Sequence, residues 1–153
     1  MEFKELLAAF AAKYGVEGLD GADGAAELDV DGIRVELLDD PQAQCLFACS
    51  EIGHPPPDAN GAFGAMMLQA NFLFEATKGA TLFQNPDSKS FGLQQQYRLV
   101  YLDVDTLAAE VEKLANMAED WKDILSGCKA SETAVDARTE EESAFPTTGL
   151  LQV

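Results

Sequence analysis

The chain opens with apolar residues at helical spacing, followed by a polar stretch. Residues 3–14 carry a single apolar stripe, which predicts a first helix, and Gly15 is placed to end it. The stripe consists of Phe3, Leu6, Leu7, Phe10 and Tyr14. Residues 15–25 are rich in glycine and aspartate, which is typical of a loop.

An alternating pattern comes next and predicts strands. Polar and apolar residues alternate in 27–30 and again in 33–37, and Asp31-Gly32 between them favours a two-residue hairpin turn. Residues 45–50 predict a third strand that is apolar on both faces. Such a strand is either central and covered, or it exposes one of its faces to a partner.

Residues 61–78 return to helical spacing, with a second apolar stripe beside the first. A helix that is apolar this far round is buried on more than one side, and a small three-helix domain struggles to cover it. Packing of both stripes inside one subunit is one explanation, and a subunit interface is the simpler one. We therefore expect a homodimer in which these residues contribute to the interface: Met66, Leu68, Phe72 and Leu73.

The rest of the pattern predicts two strands, a last helix and a tail. The expected elements are strands 81–84 and 91–101 and a helix that begins near Asp103 or Asp105 and ends at Gly127. We expect one domain over 1–127 and an acidic tail over 128–153. The tail ends in the apolar residues Phe145, Leu150, Leu151 and Val153. They are suited to dock on an apolar surface of the dimer or of a neighbouring molecule.

The charge of the chain narrows the choice of partners. Asp and Glu number 27 against 10 Lys and Arg, for a formal net charge of -17. Nucleic acids and anionic membranes are bound by basic surfaces, so we expect neither as a partner. The acidity itself is explained either by solubility or by a basic or partly unfolded protein partner.

Candidate chemistry is sparse. A serine or cysteine nucleophile needs a base, and the one histidine, His54, lies beside three prolines in a predicted loop. We expect no zinc site either, because Cys45 and Cys49, two of the three cysteines with Cys128, fall in a predicted strand as small core residues, and His54 is the one histidine. An odd number of cysteines and the absence of a signal-peptide pattern predict free thiols in a reducing cytoplasm. We expect no catalytic residue, no metal and no cofactor.

The order of elements resembles the class I type III secretion chaperones, the Tir chaperone family. The resemblance is carried by an ordered set of segments: Gln69-Ala70-Asn71-Phe72-Leu73, Gly79-Ala80-Thr81-Leu82, Asn85-Pro86-Asp87, Leu93-Gln94-Gln95-Gln96, Leu102-Asp103 and Asn116-Met117-Ala118-Glu119-Asp120-Trp121. It is best from Leu68 to Leu125 and looser before residue 60.

The resemblance implies an α+β domain, a twisted antiparallel sheet with three helices in the order α-β-β-β-α-β-β-α. It also implies a non-enzymatic homodimer in the bacterial cytoplasm. Such a dimer binds the N-terminal segment of a secreted effector in extended form, keeps it soluble and secretion-competent, and marks it for the export machinery. The alternative is a protein-interaction or regulatory domain of the same fold that is not dedicated to secretion.

A bound segment needs main-chain pairing at a sheet edge and apolar pockets for its side chains. We expect it on the outer surface of the sheet, near the first hairpin and the third strand. The residues expected to bind the effector are Val35, Leu37, Leu46 and Ala48.

Overall fold

The elements follow one another in the predicted order. A computed structural model describes the backbone of residues 2–135 and the side chains of residues 2–127. Within that part of the chain the helices are α1 (Phe3–Tyr14), α2 (Asn60–Ala70) and α3 (Val104–Val135). The strands are β1 (Ala25–Val30), β2 (Ile33–Asp40), β3 (Cys45–Gly53), β4 (Thr81–Gln84) and β5 (Phe91–Arg98). The α+β class and the element order are therefore confirmed.

The five strands form one antiparallel sheet in the order β1-β2-β3-β5-β4. The first hairpin is as predicted, because Asp31 and Gly32 have φ angles of 52° and 85° and join Val30 to its partner Ile33. Positive φ at both positions is the geometry of a type I′ turn, whose twist matches that of the strands. In the strand order given above, the two edge strands of the sheet are β1 and β4.

One face of the sheet, the covered face, packs against the helices. The predicted stripe of α3 is confirmed, since it is buried in the core together with α1 and residues of α2. These α3 residues are Leu107, Val111, Leu114, Ala118, Trp121 and Leu125. Side chains of a strand alternate between faces, so the residues between the covered ones lie on the opposite side, here named the open face. In the described part of the chain no helix packs across the open face.

The second helix is shorter than predicted. It ends at Ala70 instead of continuing to Lys78, and residues 72–74 form a 3-10 turn. Leu73 and Phe74 have φ angles of 56° and 55°, which is the left-handed region and incompatible with a continuing helix.

A side chain holds this end of α2 in place. The Asn71 Nδ2 atom donates a hydrogen bond of 3.1 Å to the Leu82 carbonyl oxygen, and the Leu82 amide donates one of 2.9 Å to Asn71 Oδ1. This clamp ties α2 to β4.

Two other boundaries also differ. The strand predicted over 91–101 ends at Arg98, where residues 99–101 turn and the Leu99 amide donates to the Gln44 carbonyl oxygen. The last helix does not end at Gly127 but continues to Val135, because a single glycine inside a helix costs only about 1 kcal/mol. The proposed domain boundary at residue 127 therefore falls inside α3. Residues 136–153, with the apolar end of the tail, lie outside the described residues.

The Asn71 clamp makes a stability prediction. Asn71→Ala leaves the amide and carbonyl of the buried Leu82 without their partners, so we expect the free energy of unfolding to fall by about 1–3 kcal/mol. Chemical denaturation followed by fluorescence of Trp121, the one tryptophan of the chain, measures this. Asn116→Ala, at an exposed position of α3, is the control and should change stability by about 0.5 kcal/mol or less. Equal effects of both changes would contradict a role for the clamp.

Candidate functional site

The two edges of the sheet differ in how much of their main chain is free. At the β4 edge, both outward main-chain groups of Leu82 are bonded to Asn71, so a peptide has to displace that side chain to pair there. At the β1 edge, no strand of the described chain pairs with the outer side of β1. In a two-residue hairpin the residues flanking the turn form a hydrogen-bonded pair, so the amides of Glu27 and Asp29 point away from β2. The β1 edge is thus the one open to strand addition.

An apolar cleft of about 260 Å³ lies beside the β1 edge, between α1 and α3. Its apolar lining is Phe10, Tyr14, Val16, Leu28, Val30, Ala108 and Val111. The side chains of Leu28 and Val30 come from the covered face of β1, so the cleft is continuous with the core. Its remaining lining residues are acidic: Asp29, Asp31 and Glu112. A cleft of this kind accepts an apolar side chain from a segment lying along β1.

Polar contacts between α1 and α3 fix one wall of the cleft. Asp105 Oδ1 accepts a hydrogen bond of 3.1 Å from Tyr14 Oη and also forms an ion pair with Lys13. The ammonium of Lys13, followed by the Tyr14 hydroxyl, lowers the pKa of Asp105, and the same contact raises the pKa of Lys13. Consequently the Tyr14 ring lies at the cleft, and Lys13 is paired with a carboxylate of α3.

The open face also exposes apolar groups. Leu38 is 37% exposed, and Phe47, Cys49 and Phe83 are half-buried. Burial, and then the nearby Glu36 carboxylate, raise the pKa of the Cys49 thiol to about 11. Cys45 and Cys49 are both free thiols, as predicted.

Gly92 is required on the open face because the Phe83 ring lies where its side chain would be. A Cβ atom on Gly92 would come within 2.6 Å of that ring and 2.9 Å of the Ser50 carbonyl oxygen. The Phe83 ring can therefore lie against the sheet and become half-buried because residue 92 has no side chain.

The four residues predicted to bind an effector lie on the covered face. Val35, Leu37, Leu46 and Ala48 are each 0% exposed, so their assignment to the outer surface is wrong. The physical reason is that β3 is apolar on both sides, and alternation gives two equivalent sets of residues without saying which the helices cover. The residues that face outward in the same strands include Leu38 and Phe47. Their apolar character was the feature of the sequence that could have indicated an apolar open face.

Three of the four residues predicted to form a dimer interface are strongly exposed. Leu68, Phe72 and Leu73 are 74%, 74% and 77% exposed, whereas Met66 is half-buried against the core. Phe74 extends the same patch and was not predicted. The patch comprising residues 68 and 72–74 is named the α2 patch. Its pairing with a second copy stays a prediction.

Other chemistry has little support in the described residues. His54 lies on the surface, with its Nε2 atom 2.9 Å from the Ser88 carbonyl oxygen. Among residues whose side chains are described, no group of three or more His, Cys, Asp or Glu residues could hold a metal ion. The helices of residues 2–135 include none that is long and apolar enough to cross a bilayer. The absence of catalysis, metal and cofactor stays a prediction.

Several solved structures share this fold. A chain from the structure of the HopA1-SchA chaperone-effector complex is 22% identical, covers 79% of this chain and 93% of that chain, and has a TM-score of 0.65. One from the ExsC-ExsE complex is 19% identical, covers 82% and 97%, and has a TM-score of 0.69. One from the ExoU-SpcU complex of the Pseudomonas aeruginosa type III secretion system is 19% identical, covers 76% and 95%, and has a TM-score of 0.62.

Comparison with curated protein sequences gives no significant match. The sequence profile of the Tir chaperone protein (CesT) family matches residues 5–122, from the first turn of α1 to the middle of α3. The match includes the whole sheet, the β1 edge with its cleft, and the α2 patch. The resemblance found in the sequence is therefore confirmed, and the chain belongs to the Tir chaperone protein (CesT) family.

Proposed function

We propose that the protein is a type III secretion chaperone that binds the N-terminal region of a secreted effector in extended form, keeping it soluble and secretion-competent. The observation that carries this proposal is the family match over residues 5–122. Support comes from the similar structures, among which are a chaperone-effector complex and a heterodimeric complex from a type III secretion system.

We propose that the extended segment binds at the β1 edge and across the neighbouring open face. Main-chain pairing with Glu27 and Asp29 does not depend on the side chains of the segment, and the adjoining cleft receives an apolar anchor. An unfolded segment pays an ordering cost on binding, which main-chain bonds and apolar burial together offset. This location retains the predicted region, the first hairpin and third strand, with the outward residues replacing the buried ones.

We propose further that the chain acts as a homodimer through the α2 patch. Exposed Leu68, Phe72 and Leu73 form an apolar surface of the kind that marks protein interfaces. In this proposal the protein has no catalytic activity and needs no cofactor. It works in the bacterial cytoplasm, where the loaded dimer presents its cargo to the export machinery.

Purification of the tagged chain from its native cytoplasm, followed by identification of the bound protein, tests the function. We expect a protein that the type III system exports, bound through a segment near its N-terminus. Limited proteolysis of the complex should leave that segment protected, and deleting it from the cargo should abolish binding. A matched deletion of equal length at the C-terminus of the cargo is the control.

A bound protein that is not exported, or one held through a folded domain, would contradict the proposal. Either result would favour the alternative of an interaction or regulatory domain of the same fold.

A further inference from the structure

We propose that the segment bound at the β1 edge alternates basic and apolar residues, with Lys or Arg beside Glu27 and Asp29 and apolar side chains in the cleft. The inference rests on the proposed function and specifies the chemistry of the cargo segment. It is carried by the placement of acidic and apolar groups on the two sides of β1.

The geometry of strand addition fixes the alternation. Leu28 and Val30 lie on the covered side of β1 and line the cleft. The alternate residues Glu27 and Asp29 lie on the open face, and Asp29 is also at the rim of the cleft. A strand that pairs with this edge continues the pleat of the sheet, so its side chains also alternate between the two sides. Every second side chain therefore lies over the cleft, and the intervening ones lie beside the two carboxylates.

The charge around this edge is negative, because its acidic residues outnumber the one arginine beside them. The Arg34 Nε atom lies 3.1 Å from Glu27 Oε1, so one carboxylate is partly neutralised. Asp29 Oδ1 accepts a hydrogen bond of 3.0 Å from the Gly32 amide, and Asp29 lies opposite the same Arg34 in the register of β1 and β2. One arginine therefore lies beside two carboxylates. Asp31 and Glu112 add two exposed acids at the cleft. Among residues 2–127, no lysine or arginine lines the cleft, and the neighbouring Lys13 is paired with Asp105.

The same charges disfavour a second copy of this chain as the occupant. Pairing two β1 edges brings Glu27 and Asp29 of one copy against those of the other, and like charges on adjacent strands are destabilising. Acidic edges therefore disfavour edge-to-edge association of the chaperone with itself. A strand of opposite charge gains from the same groups, which selects a basic cargo segment.

Three labelled peptides, titrated against the full chain by fluorescence anisotropy, test the inference. The first is Lys-Val-Lys-Ile-Lys-Val, the second is its scramble Lys-Lys-Lys-Val-Ile-Val, and the third is the uncharged Thr-Val-Thr-Ile-Thr-Val. We expect the alternating basic peptide to bind at least about fivefold more tightly than either of the others. Its affinity should fall as salt is added, because the contributing charges are exposed.

Charge-neutralising variants locate the binding. In Asp29→Asn with Glu112→Gln, the asparagine keeps an oxygen for the Gly32 amide, so the turn is retained. We expect this double variant to lower the affinity for the alternating basic peptide by about fivefold and to leave the affinity for the uncharged peptide unchanged. Asp87→Asn, in the exposed turn between β4 and β5, is the control. It should change the affinity for neither peptide.

Equal affinity for the basic peptide and its scramble would overturn the inference, because net charge alone would then explain binding. Equal affinity for the basic and uncharged peptides would also overturn it while leaving the proposed function intact. Binding of none of the peptides would overturn it too, and the cargo purification described above would then decide the proposed function separately.

Discussion

Leu46→Asp is expected to unfold the domain. Leu46 is 0% exposed on β3, between β2 and β5 and beneath the helices, so the new carboxylate has neither solvent nor a partner. An unpaired buried charge costs several kcal/mol, which is comparable to the whole stability of a domain, about 5–15 kcal/mol. Far-ultraviolet circular dichroism should show loss of structure, and the fluorescence of the buried Trp121 should shift to that of a solvated indole.

Leu38→Asp is the matched control for this substitution. Leu38 lies on the adjacent strand β2 but faces the open side and is 37% exposed, so its carboxylate reaches water. We expect this variant to remain folded. A folded Leu46→Asp protein of normal stability that has lost only cargo binding would show that Leu46 faces outward, against the arrangement described above.

Phe72→Glu is expected to break the homodimer. Phe72 is 74% exposed in the single chain, so the substitution costs the isolated subunit little. In the proposed interface, however, the carboxylate is buried against the apolar α2 patch of the second copy. Burying one unpaired charge should raise the dimer dissociation constant by about 100-fold or more. Sedimentation velocity at micromolar concentration measures the change.

Val100→Glu is the matched control for the dimer. Val100 is similarly exposed, at 72%, but lies in the turn after β5, away from the α2 patch. We expect it to leave the dimer unchanged, while circular dichroism verifies that both variants are folded. A dimeric Phe72→Glu protein would exclude the α2 patch as the interface, and a monomeric Val100→Glu protein would show that the interface extends further.

Local sequence patterns were sufficient to predict most of the helices, strands and turns. The stripe of α1 and the Asp31-Gly32 turn are both consequences of neighbouring residues, and each was predicted from the sequence. The end of α2 was not predicted, because the left-handed residues there are Leu73 and Phe74 instead of glycine. Their conformation accompanies the Asn71 clamp to β4, a tertiary contact that no local pattern indicates.

The candidate site depended on pairing between distant parts of the chain. β5 lies between β3 and β4, so the sequence order of the strands does not say which edges are free. The face of β3 that the helices cover was equally undetermined, because Leu46 and Phe47 are both apolar and point to opposite sides. Only the assembled sheet identifies the β1 edge and its cleft.

The contact between Phe83 and Gly92 limits the registers in which β4 can pair. β4 is only four residues long, so its few main-chain bonds discriminate weakly between alignments along β5. Sliding β4 by two residues keeps its faces but places Phe83 opposite Gln94 or Ser90, each of which has a side chain where Gly92 has none. A single missing side chain therefore favours one alignment of this edge hairpin among several that its main-chain hydrogen bonds alone would permit.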